Sequence, residues 1–289
     1  MESKEIQQIE SEEQAPVFET TKKRVFPSFV DVLMLVALFF VGSLCVGFVV
    51  GLMEVPRSAL SHLLVYGCSM LLSMLLMVGY CLLRKHKPTI FRYKYHWYTC
   101  GLILWGLVAI GAVGIVEEPL FSLMPQEWLD SVNQTIGTGV WAICSLVVLA
   151  PIFEELIFRG VVLGSLRNRF GAFGAIVMSS LIFGLVHIVP QQAINAALVG
   201  MILGGIYVAT DSMPAVIVLH AINNGLSYLQ YVTRSGGDGS FRGMVSDDSS
   251  YKQVYIISCA FLIISVLLVI LLCRSNRRKE DESDAVAIK

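Results

Sequence analysis

Charged residues are scarce in this chain of 289 residues, in which Asp, Glu, Lys and Arg together make up 15%. In a soluble domain about a quarter of the residues are charged. Apolar residues reach 55%, and the mean hydropathy is +0.70. The net charge of −1 shows no basic excess, so we expect no nucleic-acid partner. So much apolar surface requires an apolar solvent, and lipid is the expected one.

Several sequence signals are missing from the chain. Its seven cysteines form no C-x-x-C pair and lie mostly in apolar runs, so we interpret them as small hydrophobic residues rather than disulfides or zinc ligands. There is no H-E-x-x-H motif, and the first apolar run is too long for the core of a cleavable signal peptide. No internal repeat of useful length is present, which argues against the inverted-repeat architecture of many transporters.

Long apolar runs alternate with short polar loops, and a bilayer-spanning helix needs about 20 apolar residues. We therefore predict an all-α fold, a polytopic transmembrane helix bundle of about eight spans. Residues 1–28 are predicted to be a disordered tail, 29–273 the membrane domain with its catalytic core at 139–231, and 274–289 a second tail. The predicted spans are 29–53, 59–83, 97–116, 139–166, 171–189, 193–210, 213–231 and 253–273.

The orientation follows from the placement of Lys and Arg, which are enriched on the cytoplasmic side of membrane proteins. With the N-terminus inside, 17 of the 21 basic residues fall in cytoplasmic segments. We therefore expect both termini in the cytoplasm of a bacterial cell (inner) membrane. The acidic loop with Glu117, Glu118, Glu127 and Asp130 is then predicted to lie outside.

Charged residues within the spans are few, and such residues usually pair with one another or line a cavity. Glu155 and Arg159 in the fourth predicted span are separated by four residues in the favourable order, so they are predicted to form an ion pair. Glu154 points about 100° away and needs another partner. Taken alone, this segment fits a structural ion pair at a helix end equally well.

Two histidines lie in the later spans, each with a helical neighbour one turn away. Phe183 precedes His187 by four residues, and Asn224 follows His220 by four residues. A lone histidine on an apolar helix is more often a satisfied core residue than a ligand. The pair His220 and Asn224 could equally fix the register of a helix.

The spacing of these residues indicates more than each motif alone. Glu154 and His187 are equidistant from Phe170–Gly171, where a turn is expected between two spans. They are therefore predicted to face each other across antiparallel helices. One carboxylate and two neutral imidazoles suit a divalent metal with an open position for water. A glutamate could then take the proton of that water.

The three motifs in order resemble the CPBP family of intramembrane proteases, the CAAX prenyl protease and bacteriocin-processing group also called Abi. The motifs are E-E-x-x-x-R, F-x-x-x-H and H-x-x-x-N, over about 140–231. The resemblance implies an enzyme, an intramembrane endopeptidase that hydrolyses a peptide bond of a membrane-associated protein or peptide, including lipidated ones. The implied partners are that substrate and the lipid bilayer.

The resemblance also implies roles for the individual residues. Glu154 would be the general base, and Glu155 with Arg159 would hold the helix. The implied catalytic set is Glu154, Glu155, Arg159, His187, His220 and Asn224. The implied ligands of a divalent metal, with zinc as the predicted ion, are Glu154, His187, His220 and Asn224. The two histidines and Asn224 would alternatively stabilise the oxyanion.

Two other functional classes stay open at this stage. One is a non-catalytic membrane scaffold or immunity protein of the same family, although a scaffold has no need for an unpaired Glu154. The other is a proton-coupled transporter, because intramembrane Glu and His also serve proton relays. The missing repeat counts against the transporter.

Overall fold

The computed structural model describes residues 26–53, 55, 58–94, 96–125, 127–128, 138–233, 241–245 and 247–287. All regular structure in these ranges is helical, and they contain no strand. The predicted all-α helix bundle is therefore confirmed. The six cysteines for which side chains are described are free thiols.

Eight helices follow one another in the described part of the chain, and a single helical run near the middle combines two of the predicted spans. Their bounds are α1 Phe29–Leu52, α2 Ala59–Leu83, α3 Thr99–Phe121, α4 Val140–Leu185, α5 Pro190–Thr210, α6 Met213–Thr233, α7 Phe241–Met244 and α8 Asp248–Ala287.

Six of these helices, all except α6 and α7, are long and apolar enough to cross a membrane by length and composition. The 46 residues of α4 contain the two predicted spans 139–166 and 171–189. The predicted span 213–231 corresponds to α6, whose polar residues give it a weaker lipid character. The predicted spans, about eight in number, thus lie on these six helices and on α6. One of the six, α4, contains two of the predicted spans.

The turn predicted at Phe170–Gly171 is present inside α4. Gly171 has φ 68° and ψ 179°, a conformation that is open to glycine but costly for other residues. It divides α4 into a first limb (140–170) and a second limb (172–185). Phe183 of the second limb packs on Phe158 of the first limb, with ring centroids 4.8 Å apart, so α4 is a helical hairpin.

The second limb of α4 also packs closely on α5. A Cβ atom built on Gly200 would lie 3.2 Å from the Cβ of Ser180, and one on Gly204 would lie 3.2 Å from Cγ2 of Ile176. Small residues at these positions let the helix backbones approach each other closely. The G-x-x-x-G pattern of α5 therefore serves packing within the bundle.

The two predicted tails lie at the limits of the described part. Residues 1–25 of the predicted disordered tail fall outside the described residues. At the other end, α8 continues past the predicted boundary at 273 and ends at Ala287.

The prediction of an acidic loop is wrong for Glu117 and Glu118, which are helical. Glu117 and Glu118 belong to the last turns of α3, and Glu117 is buried with 7% exposure. Its Oε1 accepts a hydrogen bond of 2.7 Å from Nδ2 of Asn195 on α5. The hydropathy pattern ended the span early because it could not show that α5 supplies a polar partner. Asp130 lies outside the described residues.

Candidate active site

The two adjacent glutamates lie in an unusual part of the first limb of α4. They end the α-helical stretch Ala150–Glu155, which is flanked by π-helical stretches at Cys144–Leu149 and Leu156–Leu163. π-Helical turns are rare and occur frequently at functional sites. The backbone of this limb therefore departs from a regular helix on both sides of Glu154 and Glu155.

The ion pair between Glu155 and Arg159 is confirmed. Nη1 of Arg159 lies 3.0 Å from Oε1 of Glu155, and the two side chains are 1% and 0% exposed. Nη2 of Arg159 also donates to the carbonyl of Gly200 on α5 at 3.2 Å. The sequence did not predict the contact of Arg159 with the Gly200 carbonyl, because a backbone acceptor leaves no sequence signal. The buried guanidinium thus ties α4 to α5.

His220 of α6 lies between the two glutamates. Its Nδ1 is 2.8 Å from Oε1 of Glu155, and its Nε2 is 3.7 Å from Oε2 of Glu154. An ionised carboxylate only accepts hydrogen bonds, so Nδ1 donates to Glu155 and Nε2 is the ring nitrogen that faces Glu154. Glu155 therefore orients His220 in addition to pairing with Arg159, a contact that the sequence did not predict.

Glu154 has a second partner from a distant part of the chain. The hydroxyl of Tyr66 on α2 donates to Oε1 of Glu154 at 2.8 Å. The Glu154 side chain is 12% exposed. Tyr66 is outside all three motifs, and only its polar group within an apolar span could have drawn attention to it. The partner that Glu154 needed is thus a tyrosine 88 residues earlier.

His187 is held by the residue one turn before it. Its Nδ1 lies 2.8 Å from the carbonyl oxygen of Phe183, so Nδ1 donates and Nε2 is left without this partner. The Phe183 ring meets both imidazoles edge-on, with centroid distances of 5.1 Å to His187 and 6.0 Å to His220. The guanidinium of Arg159 lies over the same ring at 4.9 Å. Phe183 is therefore a common packing surface for three site residues.

The predicted facing of Glu154 and His187 stays a prediction. The hairpin turn lies where the spacing predicted it, but in the described part of the chain no ion-pair contact joins these two side chains. Glu154 contacts Tyr66 and His220 instead. The spacing gave the level of the residues along the helices, but the rotation of each helix about its axis depends on packing across the bundle.

Asn224 occupies the neighbouring turn of α6. Its Nδ2 donates to the carbonyl oxygen of Leu146 at 2.9 Å, within the first π-helical stretch of α4. Asn223 donates to Oδ1 of Asn224 at 3.2 Å. Asn224 therefore links α6 to the limb that carries the glutamates, and Asn223 supports it.

The donor chemistry of the site suits a metal only in part. His187 and His220 each bond through Nδ1 to an oxygen acceptor and leave Nε2 available, as metal-binding histidines do. Within the described ranges, however, no three His, Cys, Asp or Glu side chains come together closely enough to hold a metal ion. The residues present do not form a complete ligand set in this arrangement.

Comparison with known proteins points to the same segment of the chain. Residues 135–226, which carry all three motifs, match the family described as type II CAAX prenyl endopeptidase Rce1-like. The Bacillus subtilis (strain 168) protein named "Putative membrane peptidase YdiL" is 26% identical over 129 residues, or 44% of this chain and 52% of that protein. The chain thus spans about half the length of this curated relative. No solved structure matches the chain.

These matches confirm the resemblance that the three motifs predicted. The chain is a multi-pass integral membrane protein, and its motif-bearing segment is similar to the CAAX-protease (CPBP) family.

Proposed function

We propose that this chain is an intramembrane endopeptidase that hydrolyses a peptide bond of a membrane-associated protein or peptide. One observation carries the proposal. The Glu154 carboxylate, bound by Tyr66 through one oxygen, has its other oxygen 3.7 Å from Nε2 of His220. A water molecule at about 2.8 Å from both atoms fits this separation. Such a water would be activated by two proton acceptors.

In the proposed reaction Glu154 takes a proton from this water as general base. The water oxygen forms a bond to the scissile carbonyl carbon, and the carbonyl oxygen becomes an oxyanion. Glu154 then gives the proton to the amide nitrogen, and the C–N bond breaks to release the amine and the new carboxylate. His220 shares the hydrogen bond to the water, and Glu155 keeps its ring oriented.

His187 and Asn224 are proposed to act on the substrate side of the site. Donors near a developing oxyanion stabilise it most when they are already oriented in a site that excludes water. His187 is fixed by the carbonyl of Phe183, and Asn224 by the carbonyl of Leu146. Asn224 keeps a second Nδ2 hydrogen for the oxyanion, and His187 would donate to it from Nε2 when its ring is protonated.

The predicted divalent metal stays a prediction. Zinc held by Glu154, His187, His220 and Asn224 would lower the pKa of a bound water. The steps proposed above do not depend on it. Metal analysis of the wild-type protein beside the double variant His187→Ala, His220→Ala tests the prediction, with a metal content lost in the double variant as the supporting result.

The substrate class is part of the proposal. The matched family is described by its action on prenylated CAAX proteins, so the first probe is a fluorogenic peptide with a prenylated CAAX end. A transmembrane peptide without a lipid is the second probe. Cleavage of only one of them decides whether the substrate is lipidated.

The central experiment compares the purified wild-type protein in detergent with Glu154→Gln, which keeps the shape of the side chain but removes the base. We expect kcat to fall about 10²- to 10⁴-fold. Glu118→Gln is the matched control, because Glu118 bonds to Tyr251 and the Arg242 backbone away from the site. Undiminished cleavage in Glu154→Gln would rule out the proposed mechanism. Full cellular function of that variant would favour the scaffold.

The membrane orientation is also proposed. Most of the basic residues fall on one side of the predicted spans, which supports cytoplasmic termini in a bacterial inner membrane. Reporter fusions at Ala287 and after Thr233 test this, and activity of a periplasmic reporter at Ala287 would contradict it.

A further inference from the structure

The catalytic segment receives a contact from a helix outside it. Tyr66 belongs to α2, whereas the family match begins at residue 135. Its hydroxyl is 2.8 Å from Oε1 of Glu154, and α2 packs along the first limb of α4. Glu154, the proposed general base, therefore accepts a hydrogen bond from a helix outside the matched segment.

We propose that Tyr66 is a positioning residue that selects Oε2 of Glu154 as the proton-accepting atom. The inference rests on the proposed function of Glu154. The Tyr66 hydroxyl occupies Oε1, so Oε2 is the carboxylate oxygen that remains directed at Nε2 of His220. The proposed water between them then meets Oε2, and not Oε1, as the accepting oxygen of the carboxylate.

The physical reason is the freedom of a carboxylate to rotate. The terminal torsion of a glutamate is broad and roughly two-fold, so an unbound carboxylate presents either oxygen in many orientations. A reacting group held in one orientation gains rate, because less entropy is lost on reaching the transition state. A hydrogen bond from a tyrosine hydroxyl supplies this restraint, and the ring of Tyr66 is anchored on a packed helix.

The residue next to Tyr66 supports this arrangement. A Cβ atom on Gly67 would lie 3.0 Å from Cδ2 of Leu149, which is on the first limb of α4 close to Glu154. The missing side chain lets α2 lie against this limb at the level of the site. A branched residue at position 67 would press on the end of the Leu149 side chain, and we expect the resulting shift to move the Tyr66 hydroxyl from the carboxylate.

The test measures kcat and KM for the prenylated fluorogenic peptide with Tyr66→Phe, which keeps the ring and removes the hydroxyl. We expect kcat to fall about ten- to hundredfold, the range for losing a hydrogen bond to a charged group, with KM unchanged. Tyr80→Phe is the matched control on the same helix. Tyr80 donates to Oδ1 of Asp31 at 2.6 Å, far from the site in sequence, so its kcat should not change.

Two further variants show whether Tyr66 acts through Glu154. Tyr66→Phe added to Glu154→Gln should lower kcat no further than Glu154→Gln alone. Gly67→Val keeps the tyrosine hydroxyl but should lower kcat in the same direction as Tyr66→Phe. If thermal unfolding shows that Tyr66→Phe does not fold, the kcat of Gly67→Val tests the role of Tyr66 instead.

The outcomes separate this inference from the proposed function. An unchanged kcat in both Tyr66→Phe and Gly67→Val, beside a large loss in Glu154→Gln, overturns the role of Tyr66 and leaves the protease intact. An equal further loss in the double variant overturns it too, since Tyr66 would then act independently. Full cleavage by Glu154→Gln removes the proposed function itself.

Discussion

Glu155 and His220, 65 residues apart, are joined by a hydrogen bond of 2.8 Å between Oε1 and Nδ1. The same carboxylate oxygen lies 3.0 Å from Nη1 of Arg159. One buried oxygen therefore joins a cation on its own helix to an imidazole on α6. This makes Glu155 more than a support for α4, because it fixes the orientation of a ring that faces Glu154.

Removing the charge of Glu155 should reduce both stability and activity. In Glu155→Gln the buried guanidinium of Arg159 loses its counter-ion, and breaking a buried ion pair costs about 3–5 kcal/mol. We expect a lower thermal unfolding midpoint in detergent and a kcat at least about tenfold lower. Glu118→Gln should change neither value.

A double substitution separates the two effects of Glu155. Replacing a buried ion pair by apolar residues of similar size is often neutral for stability. Glu155→Leu with Arg159→Met should therefore recover much of the unfolding midpoint while kcat stays low, because His220 still lacks its acceptor. Recovery of kcat together with the midpoint would show that Glu155 has only a structural role.

Phe183→Leu should affect activity more than a comparable change elsewhere in the core. It removes the ring that packs on both site histidines, and aromatic pairs contribute about 0.5–1.5 kcal/mol. We expect kcat to fall about three- to tenfold. Phe39→Leu is the control, since Phe39 is also buried and packs on Phe158. Equal losses of kcat in the two variants would contradict this prediction.

Asp211 should make stability depend on pH. Burial alone would raise the pKa of Asp211, but the hydrogen bond from Lys94 and the charges of Arg92, Lys94 and Arg167 outweigh it and hold this pKa below its usual value. A lowered pKa in the folded state adds stability above the pKa of the unfolded chain, about 3.9. That stability is lost as the pH falls through the lowered pKa.

The variant Asp211→Asn tests this dependence. Asp211 has φ 47°, and Asn tolerates this left-handed conformation, so the variant isolates the charge. We expect the unfolding midpoint to fall by roughly 2–4 °C at pH 7, the shift for about 1 kcal/mol. The difference from the wild type should shrink as the pH is lowered below about 4. A difference that is constant with pH would contradict the assigned charge effect.

Glu117→Gln should stabilise the protein. Oε2 of Glu117 is buried without a hydrogen-bond partner, and among the residues with described side chains no cation pairs with this carboxylate. A neutral amide avoids the cost of burying an unpaired charge and can still accept from Asn195. We expect a thermal unfolding midpoint at pH 7 that is higher by about 2–4 °C. A lower midpoint would show that the charge of Glu117 is compensated.

The sequence predicted those features that depend on local patterns. The hydropathy of successive runs located the helices. In lipid a spanning segment must form all its backbone hydrogen bonds within itself, so each long apolar run is a helix. The four-residue spacing predicted the pair of Glu155 and Arg159. Two residues four positions apart on one helix lie next to each other regardless of what packs around the helix. The turn expected at Phe170–Gly171 predicted the hairpin, and equal distances from that turn predicted which residues lie level, because both limbs rise at the same rate per residue.

Only the tertiary structure decided how the helices rotate and which side chains meet across the bundle. It brought Tyr66 to Glu154 over 88 residues and Glu155 to His220 over 65 residues. Neither contact has a sequence signal, because helix rotation depends on the packing of all neighbouring side chains at once. The sequence by itself determined a membrane helix bundle and the motifs of its candidate site, while the tertiary packing decided that Tyr66 bonds Oε1 of Glu154 and that Oε2 faces His220.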